Sequence, residues 1–166
     1  GWNPAAGPAA VLGAGGASRA VVAALIEVGA PEIRIANRSR ARADALRADF
    51  GAKVSVYEWV QAANMLEGAV SVINTTSLGM AGKPEFRVPL DALHPGAVVN
   101  DLVYNPLKTS FLIRPREVVG PVKLVHEDDA CLDLACCTDL DKRSKNFTVE
   151  ARLKRQQDVA VEAVDR

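Results

Sequence analysis

Neither sign of charge is in excess in this 166-residue sequence, in which 20 lysines and arginines balance 20 aspartates and glutamates. Without a basic surplus the chain has no electrostatic footprint for nucleic acid or for an anionic membrane surface. Aromatic residues are scarce, at 5%, too few for a surface on which bases would stack. No apolar run reaches the roughly 18 residues that a membrane-spanning helix requires; Arg19 and Glu27 interrupt the richest segment. The charged and apolar regions of a secretory leader are missing as well, and the opening Gly1-Trp2-Asn3-Pro4 reads as the interior of a longer chain. Cysteine is nearly absent. Cys131, Cys136 and Cys137 all fall in one short segment, which suggests a reduced, cytoplasmic protein rather than a disulfide framework. With His126 they offer four soft ligands. Adjacent cysteines rarely wrap one tetrahedral ion, however, and the spacing fits no common zinc loop, so no metal is expected.

What the chain does contain is a regular alternation of two kinds of segment, from Pro8 to about Phe111. Ala9 to Leu12 is an apolar run too short for a helix. Ser18 to Val28 is apolar on most faces and closed by Gly29, as expected of a helix wedged against a sheet. Glu32 to Ala36 alternates polar with apolar and ends at Asn37-Arg38-Ser39. Ser39 can cap a charged helix whose inner side carries Ala43, Leu46 and Phe50, with Gly51 past its end. Lys53 to Tyr57, Val70 to Asn74 and Ala97 to Leu102 read as further strands, with a short helix from Trp59 to Leu66. This alternation predicts an α/β fold: a doubly wound parallel sheet, Rossmann-like and suited to NAD(P).

In such sheets ligands sit outside the carboxyl ends of the strands. Four polar motifs fall there: Gly13–Ser18, Asn37–Arg42, Asn74–Gly79 and Asp101–Asn105. Gly13-Ala14-Gly15-Gly16-Ala17-Ser18 joins a strand to a helix. Glycines in that turn let backbone N–H groups approach a pyrophosphate at the helix N-terminus. Ser18 stands where a third glycine is usual. Asn37-Arg38-Ser39-Arg40-Ala41-Arg42 follows 24 residues after Gly13, where such a fold meets the adenosine ribose. A carboxylate there would accept from a free 2′-hydroxyl; arginines suit a 2′-phosphate, and they otherwise oppose the helix dipole. The expected cofactor is therefore NADP.

Together with Asn74-Thr75-Thr76-Ser77-Leu78-Gly79-Met80 and Asp101-Leu102-Val103-Tyr104-Asn105-Pro106-Leu107 with Thr109, these motifs resemble the C-terminal NADP-binding domain of the shikimate dehydrogenase family. The resemblance covers about residues 8 to 112. It implies hydride exchange between NADP and the shikimate/3-dehydroshikimate pair, in aromatic amino-acid biosynthesis. By that resemblance Gly13, Ala14, Gly15, Gly16 and Ala17 cradle the pyrophosphate. Asn37, Arg38, Ser39 and Arg42 hold the 2′-phosphate, and Thr75 and Thr76 line the cleft. Leu102 meets the nicotinamide through its backbone, and Tyr104 faces the substrate. The family's catalytic lysine and aspartate belong to an N-terminal substrate domain that does not occur in this sequence, so no catalytic residue is assigned and this half alone is expected to be inactive. Two other readings stay open: a quinate/shikimate dehydrogenase using NAD, and a stand-alone NADP-binding module without catalysis.

The family's Gly-x-x-Met-Leu turn does not follow Leu112. Beyond it only Val118 to Val125 suggests another strand, and Glu127 to Asn146 is charged and without period. The sequence thus divides into residues 1–112, the nucleotide-binding domain, and 113–166, a divergent segment. Agreement between local and global signals is lost abruptly there. That suggests a reading-frame change or a foreign end, with a lineage-specific extension as the alternative; on the first reading Glu127 to Arg166 is expected to be loosely packed and its three thiols reactive.

Overall fold

The computed structural model describes residues 2–106, 108–118 and 123–125. Six strands form one sheet: β1 (Ala9–Leu12), β2 (Ile33–Asn37), β3 (Val54–Glu58), β4 (Ser71–Asn74), β5 (Val98–Asp101) and β6 (Lys123–Val125). Every pairing is parallel and the spatial order is β3-β2-β1-β4-β5-β6. Parallel strands are covered on both faces, and β1 shows it: all four of its residues are buried. Helix α1 (Gly16–Glu27) links β1 to β2, and α2 (Arg40–Phe50) links β2 to β3.

Register brings the motifs to one edge. Leu12 pairs with Ala36 on one side and Asn74 on the other, and Asn74 pairs with Asp101. Gly13, Asn37, Thr75 and Leu102 are therefore the next residues out from the same rim. Strand order reverses between β1 and β4, where the loops leaving the two strands diverge and open a crevice.

The crossover from β3 to β4 differs from expectation. Instead of one helix over Trp59 to Leu66, two 3₁₀ turns occur, Trp59–Gln61 and Asn64–Leu66. Ala62, Met65 and Leu66 are buried by these tight turns. The backbone that they leave unpaired is served by Arg34, which donates from Nη1 to Met65 O at 3.2 Å and to Glu67 O at 2.7 Å. From β4 to β5 the chain forms no helix at all; it is pinned by Phe86, Val88, Leu90 and Leu93. The Phe86 and Phe111 rings meet with centroids 4.6 Å apart and planes tilted by 52°.

Helix α3 (Ser110–Val118) spans Leu112 and carries Pro115 inside it. A proline within a helix removes one backbone bond, which hides this helix from a pattern reading. The strand expected over Val118 to Val125 is the shorter β6, which pairs with β5. Cys131, Cys136, Cys137 and His126, like the expectations for Glu127 to Arg166, lie outside the described residues. Among the described residues no three acidic, histidine or cysteine side chains converge as metal ligands, and no helix is long and apolar enough to cross a membrane.

Candidate functional site

The glycine turn is shaped by one residue. Gly13 has φ +113°, and a Cβ there would lie 2.5 Å from Thr75 Oγ1; only glycine fits. Its N–H donates to Ala36 O at 2.8 Å. The next contacts form a relay. The Gly15 N–H donates to Ser18 Oγ at 3.0 Å, Ser18 Oγ lies 2.6 Å from Thr75 Oγ1, and Thr75 Oγ1 donates to Leu12 O at 2.8 Å. Since the Thr75 hydroxyl proton goes to Leu12, Ser18 supplies the proton between the two hydroxyls. Ser18, fully buried, thus does more than substitute for a small glycine: it ties the start of α1 to the β4 loop.

The first N–H groups of α1 have no intrahelical partner. Gly15, Gly16 and Ala17 are exposed, and a Cβ built on Gly15 or Gly16 meets nothing within 4 Å. The free N–H groups of Gly16 and Ala17, the open space beside Gly15 and Gly16, and the positive end of a helix dipole together fit a phosphate group. Ala14, half-buried, lies between the strand and these donors.

At the end of β2, Asn37 donates from Nδ2 to Ser39 O at 2.8 Å. Ser39 is the N-cap of α2, yet its side chain makes no capping bond and the first turn contains no acid. The expected hydroxyl cap is therefore not made, and the hydroxyl stays available. The three arginines divide. Arg40 pairs with Glu58 at 2.5 Å and with Asp44 at 3.4 Å, and the Glu58 hydrogen bond foremost raises its pKa above the ordinary value. Arg38 and Arg42 are exposed and form no ion pair among the described residues. Two guanidinium groups and a hydroxyl therefore remain uncommitted around one turn.

The third part is built on side chains. Asn74 Oδ1 accepts from Thr76 N at 3.0 Å and from Thr76 Oγ1 at 2.7 Å, while Asn74 Nδ2 donates to Asp101 Oδ1 at 2.9 Å. Asp101 also accepts from Val103 N and Thr109 Oγ1. Burial raises its carboxyl pKa, and the bonds from Thr109, Val103 and Asn74 oppose that shift. Leu102 donates its N–H to Asn74 O at 3.0 Å, which leaves its carbonyl as the backbone group to face a ligand. Tyr104 is 57% exposed beyond it. The hydroxyls of Thr75 and Thr76 are both engaged inward, so their contribution to the rim is its shape.

The residues of the four motifs, Gly13–Ala17, Asn37–Arg42, Thr75, Thr76, Leu102 and Tyr104, lie at this edge. Ser18, Asn74, Asp101 and Thr109 gain roles that sequence reading did not assign. The available signal was polarity: hydroxyl, amide and carboxylate groups at the ends of buried strands need partners.

A glycine turn onto a helix, a basic turn one strand over and a crevice at the reversal of strand order define a Rossmann-like domain of the doubly wound class. The particular family follows from comparison. The model for shikimate / quinate 5-dehydrogenase matches residues 5–80. The shikimate dehydrogenase (NADP(+)) of Cereibacter sphaeroides is 69% identical over 131 residues, covering 76% of this chain and 47% of that protein. Shikimate 5-dehydrogenase from Thermus thermophilus, solved in complex with NADP(H) and shikimate, matches with a TM-score of 0.61 at 35% identity, over 74% of this chain and 44% of that one. Quinate dehydrogenase from Corynebacterium glutamicum, in complex with NAD, gives 0.64 at 26% identity, over 73% and 44%. The chain belongs to the shikimate dehydrogenase family and spans about half the length of the curated relatives it matches. The Cereibacter match is longer than the stretch from 8 to 112 over which the four motifs run.

Proposed function

We propose that this chain is the NADP-binding half of a shikimate dehydrogenase, which interconverts 3-dehydroshikimate and shikimate in the cytoplasm. The observation that carries this reading is the pair Arg38 and Arg42, exposed and without an ion pair among the described residues, on the same sheet edge as the glycine turn. The cofactor, when bound, supplies the hydride acceptor or donor. The chain's own residues position it. The turn from Gly13 to Ala17 takes the pyrophosphate, with the backbone N–H groups of Ala14, Gly16 and Ala17 as its donors, while Arg38, Arg42, Ser39 and Asn37 take the 2′-phosphate. The Leu102 carbonyl meets the nicotinamide end, and Tyr104 faces the substrate. A charge-assisted hydrogen bond contributes about 1.5–3 kcal/mol, so two arginines support on the order of a hundredfold preference for NADP over NAD.

Proton transfer at the reacting hydroxyl requires a titratable group within hydrogen-bond reach. Asp101 is buried within its own hydrogen bonds, and by the family resemblance the catalytic lysine and aspartate belong to an N-terminal substrate domain. Residues 1–166 on their own are therefore expected to bind NADP without oxidising shikimate. Titration calorimetry tests the first part: NADP should bind at least about tenfold more tightly than NAD, and Arg38→Ala should remove most of that gap without changing NAD affinity. Equal affinity for the two cofactors would favour a quinate-type, NAD-using relative instead. Steady production of reduced cofactor from shikimate by the purified chain, proportional to protein and lost in Arg38→Ala, would refute the inactive reading.

A further inference from the structure

One buried carboxylate joins two loops of the sheet edge and has no part in the chemistry proposed above. Asp101 is 2% exposed. Its three donors come from three segments: Asn74 at the end of β4, Val103 in the loop after β5, and Thr109 immediately before α3. Through Asn74 the network continues to Thr76, whose Oγ1 accepts the Leu78 N–H at 3.1 Å. A second link runs parallel to it, from the Ala81 N–H to Asn105 O at 2.9 Å. No cation pairs with Asp101 among the described residues. A carboxylate buried on dipoles alone is a costly way to end a strand, where an apolar residue would pack at lower cost. What it provides that an apolar residue does not is a fixed geometry for three donors at once.

We infer that Asp101 is a positioning residue, holding the Thr76 loop and the Leu102–Thr109 loop as one unit that receives the nicotinamide half of NADP. This rests on the NADP reading above. The network makes no hydrogen bond to the Asn37–Arg42 turn among the described residues, so the adenosine half is received independently. Loosening the network should therefore affect one half of the ligand and spare the other.

The test uses titration calorimetry on the whole 166-residue chain with two probes, NADP and adenosine 2′,5′-bisphosphate, which lacks the nicotinamide half. Thr109→Val removes one donor at nearly constant volume. NADP binding should weaken about tenfold, with the bisphosphate unchanged within about twofold, and Thr109→Ser should restore NADP affinity. Asp101→Asn, which keeps one acceptor oxygen for Val103 and Asn74, should show the same one-sided loss at about threefold or more; it carries the test if Thr109→Val does not fold. Equal losses for both probes would reduce the network to a support of the fold and overturn the inference, as would undiminished NADP binding in both variants. Arg38→Ala gives the mirror image, losing the bisphosphate. If the unmodified chain binds the bisphosphate no better than adenosine monophosphate, the NADP reading itself fails, and the inference falls with it before any variant is made.

Discussion

The two sides of the crevice are held by different physics. On the β1–β2 side the chain follows local rules: strand, glycine turn, helix, with the turn set by backbone geometry at Gly13. On the β4–β5 side no helix bridges the strands, and the loops are held by buried side chains, Phe86 beneath and the Asn74–Asp101–Thr109 bonds at the rim. Backbone geometry is written in single residues. A side-chain network is distributed, and each member is interpretable only beside its partners.

Substitutions can separate the two sides. Phe86→Ala strikes the packing of the second side, and a fully buried aromatic lost to alanine costs about 3–5 kcal/mol. Denaturant unfolding should show that loss. A cost below about 1 kcal/mol would mean that the helix-free crossover is not anchored where Phe86 lies. Gly13→Ala strikes the first side. Strain at positive φ alone costs about 1–3 kcal/mol, and the new Cβ would also press on Thr75. NADP binding should fall with stability here, whereas Phe86→Ala should lower stability with little change in affinity for the chain that remains folded.

The smallest effect concerns pH. Asp101 has its folded-state pKa raised, by burial first, so the native state holds its proton more tightly than the unfolded chain does. Stability from this group is present below the ordinary aspartate range and is lost as pH rises through the raised value. Relative to Asp101→Asn, the unmodified chain should therefore lose melting temperature as the pH climbs from about 4. A difference that is flat with pH would show that the three hydrogen bonds balance desolvation, and one that grows with pH that they outweigh it.

The same contrast explains what was legible. The strands through β5, the helices α1 and α2, the parallel sheet and the four motifs on one edge all follow from periodicity and turn chemistry, because each is a local property. Three features escaped. The two 3₁₀ turns after Trp59 bury Ala62 and Met65 with a spacing that serves a helix equally well. Helix α3 is masked by Pro115. The division among the arginines depends on Glu58, which is distant in sequence and reaches Arg40 only because β3 pairs with β2. Sequence reading singled out Arg38 and Arg42 for the 2′-phosphate on family resemblance; the commitment of Arg40 elsewhere is a property of the folded sheet.

The Asn37–Arg42 turn shares no hydrogen bond with the loops after β4 and β5 among the described residues. Its contributions to ligand affinity should accordingly add to theirs rather than multiply through them. In evolutionary terms that is modularity. A lineage can exchange arginine for an acidic residue on the β2 turn, and so change which nicotinamide cofactor it draws on, without retuning the loops after β4 and β5. The choice of cofactor and the shape of the rest of the site become separately heritable traits of one fold.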